Sequence, residues 1–352
     1  MMDIKIFRRQ LRLKTPFRIA HGTFPFRESI FIRVEKNGYS GYGEAPVVPY
    51  YGLTPEAVEG DLRKVVSSFP RGIDVFDWDP VFTYPTAASA FRSAVLNLRS
   101  RIEAVSAYEV LGLEQSTEVP RTSFTIAYKD SFGEILRQAS GSGFRRLKIK
   151  VGFPGDVQLI EKLKKKLPDL LIRVDVNQGW SLEEAFEKLP LLERIGVEFV
   201  EEPIAGTPRE LESLAQSTTV PIVLDESVVD AEGMERYITE APHVAGIVVK
   251  IAKNGGPLES LSLIKKARAA GLKVMLSSMV ESSLGVASAL PLAQLCSWLD
   301  LDAPLLLADD PFTGLNYGDE RPILAPAGIR PTERQKSYVD SLPSVYSDCS
   351  ED

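Results

Sequence analysis

Cysteine and histidine are both scarce in this sequence. The cysteines are Cys296 and Cys349, and the histidines are His21 and His243. Two cysteines are too few for a disulfide framework or for a zinc site built from cysteine. With so little histidine, any acid/base chemistry must depend mainly on carboxylates, lysines or tyrosines.

Long apolar runs and an excess of basic residues are also missing. No apolar run approaches the ~18 residues that a membrane span needs, and the first residues, Met-Met-Asp-Ile-Lys, lack the apolar segment of a signal peptide. The net charge of −7 and the absence of a Lys/Arg block argue against nucleic acid or an anionic membrane as a partner. With 44% hydrophobic and 25% charged residues, the composition is that of a globular protein. We therefore expect a soluble cytoplasmic protein.

The 352 residues correspond to two domains, or to one large α/β barrel with additions. Alternating apolar and polar residues at 4–13 and 29–36 predict antiparallel strands joined by a loop around His21. Helical spacing predicts helices over 55–68 and 86–111. We therefore assign residues 1–118 to an α+β unit.

From residue 119 onward the pattern alternates between strand and helix. The predicted strands are 122–127, 146–151, 171–176, 197–200, 222–224, 246–249, 273–276 and a last one near Leu299. Reactive side chains end five of these strands at intervals of 25, 26, 24 and 25 residues, at Lys150, Asp175, Glu201, Asp225 and Lys250. Further steps of 28 and 24 residues reach Ser278 and Asp302. This repeat predicts a parallel (β/α) barrel over residues 119–325, because an open doubly wound sheet would not place reactive side chains at nearly every strand end.

Three successive strands of this barrel end in carboxylates, at Asp175, Glu201 and Asp225. Carboxylates that meet at one end of a barrel repel one another unless a cation lies between them. Oxygen ligands favour Mg²⁺, so these residues are candidate metal ligands. The alternative is that each is a helix N-cap, which is common where a strand leads into a helix.

Four lysines flank these carboxylates along the chain. Lys148 and Lys150 lie two residues apart on the second predicted strand, whereas Lys250 and Lys253 follow the sixth. A lysine beside another positive charge has a lowered pKa, in the range useful for a base. The alternative is that they are ordinary exposed lysines. Taken together, the two pairs predict one base on each face of a metal-bound substrate.

Several polar residues adjoin these candidates. Asn177 lies two residues after Asp175 and is expected to face the same side, whereas Glu202 and Glu226 point away from the ligands they follow and support them instead. Asp300 and Asp302 place two carboxylates at the eighth strand. Such a pair suits the binding of a substrate ammonium group, although an ordinary strand-to-loop pair is the alternative.

The motifs together resemble the muconate-lactonising subgroup of the enolase superfamily over about residues 1–330. The matching segments are Gly43-Glu44-Ala45, Lys148-Ile-Lys150, Asp175-Val-Asn177-Gln-Gly-Trp180, Val200-Glu201-Glu202-Pro203, Asp225-Glu226-Ser227 and Lys250-Ile-Ala-Lys253-Asn-Gly-Gly256.

The resemblance implies an α/β fold, a TIM-like (β/α)7β barrel with an N-terminal α+β capping domain that carries specificity loops. It also implies one Mg²⁺ bound by Asp175, Glu201 and Asp225, with Asn177 and Glu226 behind the ligands. Lys150 and Lys253 are the implied acid/base pair, and Lys148 and Lys250 are their electrostatic partners next to the substrate. Residues 326–352 are expected to return toward the cap and to end in a disordered tail.

Within the subgroup, Asp300-Leu-Asp302 resembles the motif with which dipeptide epimerases hold the α-ammonium group of a dipeptide. Such enzymes invert the α-carbon of the C-terminal residue by moving a proton between two bases. The segment Lys250-Ile-Ala-Lys253 is instead spelled as in muconate cycloisomerases. A cycloisomerase, an o-succinylbenzoate synthase and a catalytically silent barrel that serves as a binding protein are the alternatives. We expect a dipeptide substrate and a homo-oligomer.

The resemblance also bears on substrate specificity. Members that act on Ala-Glu carry an arginine at the tip of the first cap loop, where this sequence has Gly22. Tyr50 and Tyr51 of the second loop offer apolar surface, and His21 and Ser278 are further candidate pocket residues. These features predict a hydrophobic or broad range of C-terminal residues, although Arg18 or Arg27 could supply a guanidinium for an acidic side chain.

Overall fold

The computed structural model describes residues 2–129, 131–325 and 327–347. Its N-terminal unit is an antiparallel sheet covered by helices. The elements are β1 (Met2–Ile19), β2 (Gly22–Lys36), β3 (Tyr39–Val47), α1 (Pro55–Ser67), α2 (Pro85–Glu103) and α3 (Ala107–Val110). The apolar face of the sheet packs against α1 and α2 in a core of its own, which includes Ile30, Ile32, Leu62 and Phe91.

The first two strands form a longer hairpin than the sequence predicts. Strand pairing continues to Ile19 and Gly22, so His21 lies in a two-residue turn rather than in an open loop. The pattern changes between Arg12 and Phe17, where the register of the two strands shifts. Phe17 and Ile19 remain buried beyond this irregularity, which keeps the end of the hairpin against the molecule.

The prediction of one helix over 86–111 is wrong, because the helix ends at Glu103. Ala104 adopts a left-handed conformation with φ 54°, which cannot continue an α-helix. Ser106 then begins α3, and its side chain and that of Glu109 form a reciprocal capping box.

Two glycines of β3 allow α2 to lie directly on the sheet. A Cβ atom at Gly41 would stand 2.0 Å from the carbonyl oxygen of Ala94, and one at Gly43 would stand 1.8 Å from that of Ala90. No side chain fits at such distances. The close approach positions the next residue, Glu44, at the boundary between the cap and the barrel.

The central part of the chain forms the predicted barrel. Its elements are β4 (Phe124–Ile126), α4 (Phe132–Gly141), β5 (Arg146–Lys150), α5 (Asp156–Lys166), β6 (Leu171–Asp175), α6 (Leu182–Ile195), β7 (Phe199–Glu201), α7 (Pro208–Gln216), β8 (Ile222–Leu224), α8 (Ala231–Glu240), β9 (Gly246–Val249), α9 (Pro257–Ala269), β10 (Lys273–Ser277), α10 (Ser283–Ala289), β11 (Trp298–Asp300) and α11 (Ala303–Leu306). The strands pair in parallel in chain order. A parallel bridge from Thr122 to Leu299 joins the last strand to the first, which confirms the predicted barrel class.

A layer of side chains fills the barrel interior below its mouth. It consists of Arg173, Phe199, Val223, Val248, Met275 and Trp298, all buried. Each of them lies two residues before a polar side chain at the barrel mouth, in the order Asp175, Glu201, Asp225, Lys250, Ser277 and Asp300. Because alternate strand residues face the same side, the barrel floor and the site above it follow from one pattern.

The chain then leaves the barrel and returns to the cap. The remaining elements are β12 (Phe312–Thr313), β13 (Leu315–Gly318), β14 (Arg321–Leu324), β15 (Arg330–Pro331), α12 (Glu333–Asp340) and β16 (Tyr346–Ser347). Strand β16 pairs antiparallel with β1 of the capping sheet. The sequence predicts a mobile end over residues 341–352, and this is wrong for residues 345–347, because Val345 donates a backbone hydrogen bond to Ile4 and β16 pairs with β1. Residues 348–352 lie outside the described residues. No helix in the described part of the chain is long and apolar enough to cross a membrane.

Candidate active site

The carboxyl ends of the barrel strands bring the predicted site residues to one level. Lys150, Asp175 and Glu201 end β5, β6 and β7 and are register partners of one another. Asp225 and Lys250 directly follow β8 and β9. These side chains are buried, so their charges interact with little screening by water.

The ammonium group of Lys148 lies among three carboxylates. Its Nζ is 2.8 Å from Asp175 Oδ2, 2.8 Å from Glu201 Oε2 and 3.0 Å from Asp300 Oδ2. Burial lowers the pKa of Lys148, but the carboxylates outweigh burial and raise this pKa well above its usual range. Lys148 is therefore a fixed positive charge beneath the site.

Lys150 lies two residues after Lys148 and lines the same cavity at the barrel mouth. Its Nζ contacts Asp175 Oδ2 and donates a hydrogen bond of 3.1 Å to Asn177 Oδ1. The amide of Asn177 in turn donates to Glu226 Oε1 at 2.9 Å. Asn177 has a left-handed backbone with φ 47°, so it reaches Lys150 through a tight bend and not, as expected, along an extended strand.

The second lysine pair binds one carboxylate. Lys250 contacts Asp225 Oδ2, and Lys253 Nζ lies 2.7 Å from Asp225 Oδ1. Lys253 also donates to the carbonyl oxygens of Asp225 at 2.7 Å and of Val248 at 3.0 Å. Lys148, Lys150 and Lys250 line the cavity at the barrel mouth, whereas Lys253 does not.

The donor set at this site fits a divalent cation. Burial and the charges of Asp175 and Asp225 raise the pKa of Glu201 well above its usual range despite Lys148 nearby. Glu201 Oε2 is buried and makes no hydrogen bond, since Lys148 approaches it at 2.8 Å but at an unfavourable angle. A buried carboxylate oxygen that accepts no hydrogen bond is a suitable ligand for Mg²⁺.

As arranged, the three carboxylates do not yet form a coordination site. Within residues 2–129, 131–325 and 327–347, no three acidic, histidine or cysteine side chains are placed to hold one metal ion together. Lysine ammonium groups contact all three carboxylates instead. Metal binding would therefore require these lysine side chains to move.

The two glutamates that follow the candidate ligands contact neighbouring groups. Glu202 accepts hydrogen bonds from the backbone amide of Asp225 at 2.8 Å and from Gln178 Nε2 at 2.9 Å. Burial, followed by the charge of Asp225, raises the pKa of Glu226 to about 7. Glu202 thereby contacts the end of the neighbouring strand β8, and Glu226 contacts Asn177.

Asp300 and Asp302 lie side by side in different surroundings. Asp300 accepts hydrogen bonds from Lys148 at 3.0 Å, Ser123 Oγ at 2.7 Å and Ser277 Oγ at 3.1 Å. Among the described residues, Thr125 is the hydrogen-bond partner of the Asp302 side chain. Burial and the charge of Asp300 raise the pKa of Asp302 to about 7. Asp302 is thus the carboxylate with unused capacity for a positively charged ligand.

Sequence reasoning missed three alcohol side chains that hold these aspartates. Ser123 and Thr125 alternate along the first barrel strand, a strand that the sequence predicts without indicating a functional residue on it. At the seventh strand the sequence indicated Ser278, which lines the cavity, but its neighbour Ser277 makes the hydrogen bond to Asp300. Ser or Thr at alternate, inward-facing strand positions is the feature of the sequence that could have indicated these residues.

The cap closes the site with an aromatic cluster. The His21 ring stacks on Tyr50 with centroids 4.7 Å apart, and Tyr51 packs behind Tyr50. Arg27 lines the cavity with its guanidinium 3.7 Å from the centre of the Phe24 ring. It has no acidic partner within the described residues, and burial lowers its pKa. Arg18 stacks on Tyr128 outside this cavity.

The cavity between these groups is about 50 Å³ in volume. Apolar side chains complete its wall, and they are Phe17, Val48, Met279, Val280, Ala303 and Leu306. A cavity of this size admits only a few water molecules. A larger ligand therefore requires movement of the cap side chains.

The family model of the enolase C-terminal domain-like proteins matches residues 132–315. The match spans more than half of the chain and all strands from β5 to β11. The chain therefore belongs to the enolase C-terminal domain-like family, and the predicted resemblance is confirmed.

Several known proteins are similar to this chain in sequence or in structure. An L-Ala-D/L-amino acid epimerase of Maribacter sp. (strain HTCC2170 / KCCM 42371) is 29% identical over 92% of this chain and 97% of its own length. A dipeptide epimerase of Methylococcus capsulatus, solved with Mg and L-Arg-D-Lys, has a TM-score of 0.83 and 25% identity over 93% of this chain and 98% of its own. A muconate lactonizing enzyme of Pseudomonas fluorescens shares the fold with a TM-score of 0.88, at 24% identity over 96% and 98% of the two chains.

Proposed function

We propose that this protein is a Mg²⁺-dependent dipeptide epimerase that inverts the α-carbon of the C-terminal residue. The observation that carries the proposal is the arrangement of charges across the barrel mouth. Lys150 and Lys253 belong to opposite sides of the three carboxylate-bearing strands, and Asp302 lines the same cavity as Lys150 with unused acceptor capacity. A substrate with a carboxylate at one end and an ammonium group at the other matches this layout.

The two lysines would carry the proton transfer. In its neutral form Lys150 would accept the α-proton on one face while the C–H electron pair moves into the substrate carboxylate. Lys253, as an ammonium group, would deliver a proton to the opposite face after turning away from the Val248 carbonyl. By resemblance to the family, Lys150 serves the L configuration and Lys253 the D configuration.

The other charged groups would position the substrate. Asp175, Glu201 and Asp225 would hold Mg²⁺, which when bound supplies positive charge beside the substrate carboxylate. Lys148 and Lys250 stay positively charged next to these carboxylates, because the surrounding acids raise the pKa of each lysine well above its usual range despite burial. They prevent the ligand carboxylates from repelling one another.

The N-terminal ammonium group would bind at Asp302, with Asp300 behind it. Asp300 is already satisfied by Lys148, Ser123 and Ser277. An ammonium group would pair with the second buried carboxylate, whose pKa is raised to about 7 by burial and by the charge of Asp300. A substrate without a free amine should therefore bind poorly.

The cavity wall supports a hydrophobic or broad range of C-terminal side chains. Phe17, Val48, Tyr50 and Met279 present apolar surface. Arg27 supports a second specificity, for an acidic side chain, because its buried guanidinium faces the cavity without an acidic partner in the described residues. The variant Arg27→Leu separates the two: turnover of Ala-Leu is retained if the pocket is apolar, and turnover of Ala-Glu is lost if Arg27 binds the substrate.

A deuterium exchange assay tests the activity itself. Wild-type protein with Mg²⁺ and L-Ala-L-Leu in deuterium oxide should yield both diastereomers, each with one deuteron at the leucine α-carbon. Measurement of kcat/KM for Ala-Leu, Ala-Phe, Ala-Glu and Ala-Lys then gives the side-chain preference. N-acetyl-Ala-Leu is the control for the amine. Equal turnover of this control would remove the role given to Asp302.

The same assay distinguishes the alternatives that the sequence leaves open. A muconate-type cycloisomerase or an o-succinylbenzoate synthase would not exchange the α-proton of a dipeptide. A silent barrel would exchange nothing and would convert neither muconate nor the succinylbenzoate precursor. Exchange with dipeptides alone supports the epimerase.

A further inference from the structure

A second cavity opens beside the candidate active site. It is about 370 Å³ in volume, within the lower range of small-ligand pockets. Three residues, Phe17, Thr125 and Leu306, line both cavities. The second cavity therefore lies next to the candidate substrate site, with these three side chains between the two.

The second cavity is surrounded by positive charge. Lys14 comes from β1, Lys129 follows β4, and Arg137 lies on α4. Among the described residues, no aspartate or glutamate lines the cavity. This is an unusual environment in a chain with a net charge of −7. An anionic ligand would be attracted to it.

These cations are not neutralised by ion pairs within the described residues. Lys14 Nζ donates to the carbonyl oxygen of Leu305 at 2.8 Å, and Lys129 Nζ donates to Thr15 Oγ1 at 3.0 Å. Partial burial lowers the pKa of Lys129, which Glu134 only partly offsets. Arg137 is exposed and makes neither a hydrogen bond nor an ion pair with a described residue.

The position of Thr125 relates the cavity to the substrate. Its hydroxyl lies 3.1 Å from Asp302 Oδ1, and its side chain also forms part of the second cavity. An ammonium group bound to Asp302 would therefore stand at the boundary of the two cavities. The side chain of the N-terminal residue begins one carbon away from that ammonium group, within reach of the second cavity.

We propose that the second cavity binds the side chain of the N-terminal residue, and that its cations favour an acidic one, so that dipeptides beginning with Glu or Asp are preferred. This inference rests on the proposed function for the placement of the amine at Asp302. It adds a second specificity pocket, which is separate from the one that receives the C-terminal side chain.

Calorimetric binding to the Mg²⁺-loaded protein tests the charge preference. Glu-Leu and Gln-Leu form a matched pair, because their N-terminal side chains have the same shape and differ in charge. Glu-Leu should bind about fivefold to tenfold more tightly at low salt, as expected for a carboxylate near several half-exposed cations. The ratio should fall toward one in 0.5 M NaCl, and Lys-Leu should bind more weakly than Gln-Leu. Equal affinities for Glu-Leu and Gln-Leu, or no binding of either, would overturn the proposal.

A variant and a matched control localise the effect. Arg137→Glu should bring the affinities of Glu-Leu and Lys-Leu closer together, because two lysines and one acid would then line the second cavity in place of three cations. Arg334→Glu is the control, because Arg334 is also exposed and lies on α12, away from the second cavity. An equal effect of both variants would show that only the overall charge matters and would contradict a specific pocket.

Epimerisation of Ala-Leu separates this proposal from the proposed function. If Ala-Leu is epimerised while Glu-Leu and Gln-Leu bind alike, the second pocket is wrong and the epimerase stands. If Glu-Leu is preferred in binding but no dipeptide exchanges its α-proton, the pocket stands and the reaction is wrong.

Discussion

The backbone amide of Thr125 donates a hydrogen bond of 2.6 Å to Oδ2 of Asp302, and the hydroxyl of Thr125 lies 3.1 Å from Oδ1 of the same carboxylate. Both oxygens of Asp302 are thereby held by one residue of β4. The hydroxyl also lies 3.3 Å from Asp300 Oδ1. Thr125 thus fixes the orientation of the carboxylate that is proposed to bind the substrate amine.

Replacement of Thr125 should weaken substrate binding more than the chemical step. Thr125→Val keeps the shape and the backbone hydrogen bond but removes the hydroxyl. We expect KM for Ala-Leu to rise about tenfold, the equivalent of ~1.4 kcal/mol, with kcat changed less than twofold. Thr125→Ser restores the hydroxyl and should restore KM. A fall in kcat with constant KM, or failure of Ser to rescue, would contradict a positioning role.

Metal dependence follows from the three carboxylates at the barrel mouth. Exhaustive chelation should abolish epimerisation, and added Mg²⁺ should restore it. Glu201→Gln removes one ligand charge and should raise the Mg²⁺ concentration for half-maximal activity by at least about tenfold. Glu187→Gln, an exposed glutamate on α6, is the control. Full activity after chelation would refute the metal site.

The boundary between cap and barrel contains two buried glutamates, Glu44 and Glu281, whose pKa values are both raised. Glu44 accepts hydrogen bonds from Ser29 Oγ at 2.8 Å and from the Ser282 amide at 3.1 Å, and burial nevertheless raises its pKa to about 7. Burial and the nearby charge of Glu44 raise the pKa of Glu281 well above its usual range. Lys250 lowers this pKa but offsets only part of the rise.

An acid whose pKa is raised in the folded state stabilises that state only while the acid is protonated. The stability from such groups is complete below the unfolded pKa of ~4.3 and is lost as the pH rises through the folded value, about 7 for Glu44. Glu281→Gln resembles the protonated acid and removes one such group. From pH 5 to 8 the unfolding free energy of this variant should fall less steeply than that of the wild type, by up to ~1.4 kcal/mol per pH unit. Parallel curves from urea titrations would contradict this expectation.

The sequence predicts the barrel because its pattern is local and repeated. Short β-branched runs followed by amphipathic segments recur about every 25 residues, and the structure places strands at all eight predicted sites. The reactive residues at strand ends, such as Asp175 and Glu201, come together because parallel strands share their carboxyl edge. No knowledge of the tertiary structure is needed for that step.

Features that depend on contacts between distant segments could not be predicted in the same way. Thr125 is one alcohol among many on strands, and only its distance to Asp302 distinguishes it. The second cavity needs Lys14, Lys129 and Arg137 from three separate elements. The sequence predicts a loop at His21 because the strands of this hairpin are irregular. The tight bend at Asn177 depends on a left-handed backbone conformation, which a residue other than glycine does not indicate in the sequence.

Exchange of the α-proton by single-lysine variants tests the two-base account most directly. Lys150→Ala and Lys253→Ala are each incubated with Mg²⁺ in deuterium oxide, once with L-Ala-L-Leu and once with L-Ala-D-Leu, and both deuterium content and configuration are measured. Neither variant should interconvert the diastereomers. Lys253→Ala should still exchange the L-Leu α-proton and Lys150→Ala the D-Leu α-proton, because each remaining base reaches only its own face. Epimerisation of either diastereomer by either variant at the wild-type rate would contradict the account.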